Sequence, residues 1–154
     1  MMSRTYTTRR QQIVKAIAEK LKTINGTGDF LTNLAGNVKT RLLFWDEVAE
    51  FPAVHLNAGS ETREYQGGGY KDRFLSITVR AYVETSTKDE DSQNALDKLM
   101  EDIEAVIESN SRLQYQDKQG ATQFTHQISI VSIDTDEGVL EPLGVGEMLL
   151  EVRY

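Results

Sequence analysis

Any chemistry in this chain would have to start from two histidines, His55 and His126, because the 154 residues include no cysteine. The lack of cysteine removes thiolate nucleophiles, thiolate metal sites and disulfides together. A histidine base needs a nearby nucleophile and an orienting carboxylate. His55 follows Ala53-Val54 and precedes Leu56, and His126 alternates with Phe124, Ile128 and Ile130. Each therefore falls within a predicted strand. Ser60 and Ser76 lie in a predicted hairpin, and no Gly-x-Ser-x-Gly elbow occurs. Both histidines are expected to be structural or surface residues. Metal-ligand spacings of the His-Glu-x-x-His or calcium-loop type are also missing. Asp89-Glu90-Asp91 reads as a solvated acidic run at the positive end of a helix. Gly144-Val145-Gly146 lacks the third glycine of a phosphate cradle and leads into a strand instead of a helix. Gly67-Gly68-Gly69 lies between strands and reads as a turn. The expectation is a protein that is not an enzyme, with no catalytic residue, no cofactor and no metal.

What remains is surface. Asp97, Glu101, Glu104 and Glu108 are spaced by four, three and four, so one line on a helix carries all four carboxylates. Like charges at that spacing cost a few tenths of a kcal/mol per pair. Two readings stand: a solvated outer face, or a docking line for a basic partner. Residues 1–22 carry a net +5, from Arg4, Arg9, Arg10, Lys15, Lys20 and Lys22 against Glu19, and the rest a net −12. The basic first helix of a neighbouring copy, with Arg9, Arg10 and Lys15, is therefore a candidate for that line. The second surface is a long hairpin with the tip Tyr65-Gln66-Gly67-Gly68-Gly69-Tyr70. It is either a mobile solvent loop or an arm that reaches a neighbour, and the two tyrosines favour contact. A total charge of −7 argues against a general nucleic-acid binder. No run of 18 apolar residues exists to cross a membrane, and no apolar leader opens the chain, so a cytoplasmic setting is expected.

These features need elements to hold them. Apolar residues make up 39% and charged residues 27%, an ordinary globular balance that predicts one domain over residues 1–154. Thr7 or Thr8 can cap a first helix that reaches about Ile24, with Ile13, Val14, Ile17, Ala18 and Leu21 in one stripe. Asn25-Gly26-Thr27-Gly28-Asp29 stops it. Strands are predicted over Val38–Phe44, Ala53–Tyr65 and Asp72–Glu84, the last two joined as the hairpin. Ser92 is read as the cap of a second helix to about Ser109, whose apolar face runs from Ala95 to Ile107. Further strands are expected near Arg112–Asp117, Thr122–Asp134 and Gly146–Tyr154. The order predicts an α+β fold: a mainly antiparallel sheet with a long β-hairpin, and two helices packed on it.

Three segments carry a family likeness. The first is Arg9-Arg10-Gln11-Gln12-Ile13-Val14-Lys15-Ala16-Ile17, followed by the Asn25-Gly26-Thr27-Gly28 turn. The second is Phe51-Pro52-Ala53-Val54 running into Asp72-Arg73-Phe74-Leu75-Ser76-Ile77-Thr78-Val79. The third is Asn94-Ala95-Leu96-Asp97-Lys98-Leu99-Met100, with a closing strand ending in Val152-Arg153-Tyr154. On these segments the chain resembles the tail terminator proteins of long-tailed bacteriophages, also called tail completion or minor tail proteins. The resemblance implies a structural virion protein, assembled in the host cytoplasm and located in the tail. It implies a homo-oligomeric ring, a hexamer, that caps the tail tube, stops its polymerisation and offers a surface for head–tail joining. The implied partners are further copies of itself, the major tail tube protein and a head-completion or connector protein. No cofactor, membrane or specific nucleic acid is implied. An acidic face lining the bore would let DNA pass without sticking. A head–tail connector or neck protein is the neighbouring alternative, and a small-ligand-binding α+β domain the more distant one.

Overall fold

The computed structural model describes residues 8–85 and 91–154. Helix α1 spans Arg9–Leu21, with Thr8 as its N-cap: the Thr8 hydroxyl accepts from the Gln11 N–H at 3.1 Å. The helix stops three residues before Ile24, because the Thr23 and Ile24 amides bond three residues back and tighten the last turn. Ile24 is nonetheless fully buried, so the apolar stripe outlasts the helix. Helix α2 spans Ser92–Ser109 and is capped by Asp91, whose carboxylate accepts from the Gln93 N–H at 2.9 Å. Ser92, expected as the cap, is instead the first helical residue and is buried. Of the Asp89-Glu90-Asp91 run, only Asp91 lies within the described residues.

Five strands form the main sheet: β1 (Val38–Lys39), β2 (Ala53–Tyr65), β3 (Lys71–Glu84), β7 (Leu143–Arg153) and β6 (Gln127–Thr135), in that spatial order. Among the described residues only the β1–β2 pair is parallel. A separate two-stranded ladder joins β4 (Gln114–Gln116) to β5 (Thr122–Phe124). The alternation along β3 sends Leu75, Ile77, Val79, Ala81 and Val83 to one face, which both helices cover in a single apolar cluster with Val54, Leu56 and Leu150. Ser76, Thr78 and Arg80 alternate to the other face and stay half-exposed.

The expected strand over Val38–Phe44 shrinks to two residues. Leu42 and Leu43 are half-buried outside any ladder, and the Leu43 carbonyl accepts from the Tyr82 hydroxyl at 2.8 Å. Beyond Lys39 the run leaves the ladder and is tied to the sheet by that bond. The strand expected over Thr122–Asp134 is divided at Thr125. That side chain is fully buried, accepts from the Leu113 N–H at 2.8 Å and donates to the Ser111 carbonyl at 2.7 Å. His126, predicted within a strand, sits at this break, exposed.

Candidate functional site

His55 is buried beside Tyr82, with ring centroids 5.1 Å apart. Burial, then the charges of Lys39 and Arg41, hold its imidazole below the usual histidine range. It borders a cavity of about 300 Å³ with Asn37, Glu47 and Glu50, whose lining includes no serine, threonine or cysteine. A neutral imidazole without a nucleophile has nothing to activate. No group of three or more potential metal-ligating side chains converges among the described residues. Gly144 and Gly146 do not cradle an anion; they lie under α2. A Cβ on Gly144 would stand 3.1 Å from the Ser92 carbonyl oxygen, and one on Gly146 would stand 3.1 Å from the Met100 sulfur. Among the described residues, no helix is long and apolar enough to cross a membrane.

The hairpin is built as an arm. β2 and β3 pair from Ala53↔Tyr82 out to Tyr65↔Lys71. The β7 ladder stops at Phe74↔Arg153, and Arg73 and Tyr154 exchange one further pair of backbone bonds. From there to the tip the two strands pair only with each other, an overhang of about 15 Å at roughly 3.3 Å per residue. The tip closes by a Gln66 N–H bond to the Tyr70 carbonyl, and Gly68 and Gly69 take φ of 79° and 83°. L-side chains avoid that region, so the glycines are required by the turn. Tyr65 and Tyr70 are 73% and 76% exposed, so neither side chain is spent on this chain's core. At the arm's base, two residues of β2, Gly59 and Ser60, face one of β3, a bulge that bends the arm. The Arg10 guanidinium donates to the Gly59 carbonyl there. Glu61 accepts from the Tyr154 hydroxyl and from Arg63, the latter at 2.8 Å.

The acidic line is intact. Asp97, Glu101 and Glu108 are exposed and Glu104 is half-exposed. None of the four has an ion-pair partner among the described residues. The basic residues of α1, by contrast, do not form one face. Arg10 is committed to Gly59, Lys20 donates to the Asn110 carbonyl at 3.2 Å, and Lys22 pairs with Glu19 at 3.0 Å. Lys15 turns toward a groove shared with Lys39 and Arg41. Arg9 turns the other way, into a cleft of about 540 Å³ at the base of the hairpin.

The sequence reading missed that cleft, and it missed Asp102. Arg9, Lys71, Arg73 and Arg112 share the cleft, brought together from α1, β3 and the segment before β4. No Asp or Glu side chain lines it. The Arg73 guanidinium lies 5.4 Å from the Tyr154 ring centroid and that of Arg112 lies 4.6 Å from Phe124. No local spacing signals this set, because only the sheet register and the β4–β5 ladder bring it together. Asp102 is buried on α2, on the side away from the acidic line. It accepts from the Leu31 N–H at 3.0 Å, from the Thr32 N–H at 2.7 Å and from the Thr32 hydroxyl. It therefore anchors the loop after α1 to the second helix.

Among the described residues the geometry offers surfaces for contact, and the comparisons identify the family. A solved chain from the "Virion of native gene transfer agent (GTA) particle" shares the fold, with a TM-score of 0.53 over 92% of this chain and 93% of that one, at 8% identity. Tail tube terminator protein p142 of Escherichia phage T5 is 33% identical over 152 residues, 94% of this chain and 92% of the relative. A family model described as Bacteriophage Tail Tube Terminator Protein matches residues 7–154. This chain belongs to the bacteriophage tail tube terminator family, and is a structural protein of the virion tail and not an enzyme.

Proposed function

We propose that the chain acts as one unit over residues 1–154, closes as a hexameric ring on the end of the tail tube, stops tube polymerisation there and presents a surface for head–tail joining. The observation that carries this reading is the hairpin arm. It overhangs the core and holds two exposed tyrosines beside a glycine turn, a build suited to reaching a neighbouring subunit or the tube. A ring of identical subunits needs two unlike patches that meet head to tail. The acidic line of α2 and the basic surfaces flanking α1 are unlike in that sense. The partners are further copies of this chain, the major tail tube protein and a head-completion protein. A net charge of −7 per subunit makes the assembled ring repel phosphates, so DNA passes without specific binding.

Tail length in a phage lacking the protein tests the reading. Overlong tubes are expected, because nothing would halt polymerisation. Tails of normal length, detached from full heads, would overturn the cap and move the protein to the neck.

A further inference from the structure

Four cationic side chains converge at the base of the hairpin with no Asp or Glu side chain lining the cleft. Arg9, Lys71, Arg73 and Arg112 line one cleft, where Tyr154 and Phe124 lie against the Arg73 and Arg112 guanidiniums. The carboxylates around it are engaged. Asp72 pairs with Arg153 at 3.5 Å, Asp117 accepts from the Gln119 and Ala121 amides and offsets part of the Arg9 charge, and Glu61 is held by Tyr154 and Arg63. Such clustering of like charge is unfavourable by itself and is relieved when an anionic partner arrives. The groove that holds Lys15 and Lys39 is a weaker candidate, because Glu19 stands in it, paired to Lys22. The same chain carries a matching surface with no ion-pair partner among the described residues: the four carboxylates Asp97, Glu101, Glu104 and Glu108 on α2.

We propose that this cleft receives the acidic line of α2 from a second copy of the chain, Arg73 and Arg112 making the central contacts. The inference rests on the ring reading and specifies its subunit interface. Cleft and line lie on different elements, so the contact is head to tail: each subunit gives its helix to one neighbour and its cleft to the other. Arginine suits the task, since its planar fork holds a carboxylate by two donors and stacks on a ring at the same time. A nucleic-acid backbone is the disfavoured occupant, because the acidic remainder of the chain repels phosphates.

Charge exchange on the full-length protein is the test, with purified tail tubes present. Arg73→Glu with Arg112→Glu should abolish rings at tube ends, and so should Glu101→Arg with Glu104→Arg. Mixing the two variants should restore rings only in alternating order, and combining all four changes in one chain should restore them fully. Failure of the fourfold variant to assemble, when circular dichroism shows it folded, would overturn the contact. A second arm does not depend on ring formation. The wild-type chain has no cysteine, so Arg112→Cys and Glu101→Cys chains each carry a single thiol. Mixed on tubes under mild oxidant, they should give a disulfide between the two variants at several times the yield of either variant alone. Equal yields, or none, overturn the contact. Rings without that cross-link sink the contact and spare the ring, whereas the cross-link without rings does the reverse. Binding of a labelled oligonucleotide that is lost in the Arg73→Glu, Arg112→Glu variant, with no cross-link, would give the cleft to nucleic acid and overturn the proposal.

Discussion

Replacing Gly144 by alanine should destabilise the fold far more than the same change at Gly146, although both glycines lie on β7 beneath α2. A Cβ at position 144 would come to 2.8 Å from Val83 Cγ2 and 3.1 Å from the Ser92 carbonyl oxygen. Val83 is β-branched and has little rotamer freedom, and the Ser92 carbonyl belongs to the first turn of α2. Relief therefore requires the helix to lift from the sheet. At position 146 the new methyl would meet Met100 Sδ at 3.1 Å and Leu96 Cδ1 at 3.2 Å. These are ends of flexible side chains, and methionine adapts readily. Overpacking costs about 1–3 kcal/mol, and the upper end applies to Gly144. Loss of glycine's unfolded-state freedom returns about 0.4–1 kcal/mol at both sites. The net prediction is a loss of about 2 kcal/mol for Gly144→Ala and less than about 0.5 kcal/mol for Gly146→Ala. Urea unfolding followed by circular dichroism measures both, as a shift in midpoint at unchanged slope. Equal stabilities, or a larger loss at Gly146, would refute the claim that Gly144 sets the distance between α2 and the sheet.

Three further outcomes follow from the same structure. Asp102→Ala should cost about 3 kcal/mol, because two backbone amides and a hydroxyl lose a shared charged acceptor; the Leu31 and Thr32 amides should then exchange hydrogen faster, and unchanged exchange would remove Asp102 from its anchoring role. Tyr154 is pushed up to about 12, first by burial and then by its hydrogen bond to Glu61 and that residue's charge. The folded state thus holds this proton more tightly than the unfolded one, so the stabilisation is complete below about pH 10 and is lost between about 10 and 12. Tyr154→Phe should flatten the alkaline decline in melting temperature over that interval, and an unaltered decline would refute the assignment. At Glu61, burial raises the carboxyl, but the bonds from Tyr154 and Arg63 and the charges of Arg63 and Arg10 outweigh it and leave it below the usual range. Its stabilisation is present above the unfolded carboxylate range and lost as the pH falls, so acid titration of Glu61→Gln should show a shallower loss than wild type.

Sequence periodicity reached the fold wherever one face of an element meets one core. Leu75 to Val83 alternate because β3 has helices on one side only, and the apolar face of α2 is continuous because it lies flat on β3 and β7. Periodicity failed where a single side chain redirects the backbone. Thr125 is a good strand former, yet its buried hydroxyl bonds Leu113 and Ser111 and ends β5. Leu42 and Leu43 read as strand but lie outside the ladder, where the Leu43 carbonyl accepts from the Tyr82 hydroxyl. The acidic line and the glycine tip were legible because each is local. The basic residues of α1 do not share one flank: a helix turns roughly 100° per residue, so Arg9 and Lys15 point apart. The cleft could not be read at all, since Arg9, Arg73 and Arg112 become neighbours only after the sheet has formed.

Cryo-electron microscopy of purified tail tubes incubated with this protein tests the account most directly. The expected image is a single ring of six copies on one end of each tube, with the Tyr65–Tyr70 hairpin tips in contact with a neighbouring subunit or the tube. Bare tube ends in the presence of excess folded protein, or protein bound along the tube wall, would contradict it.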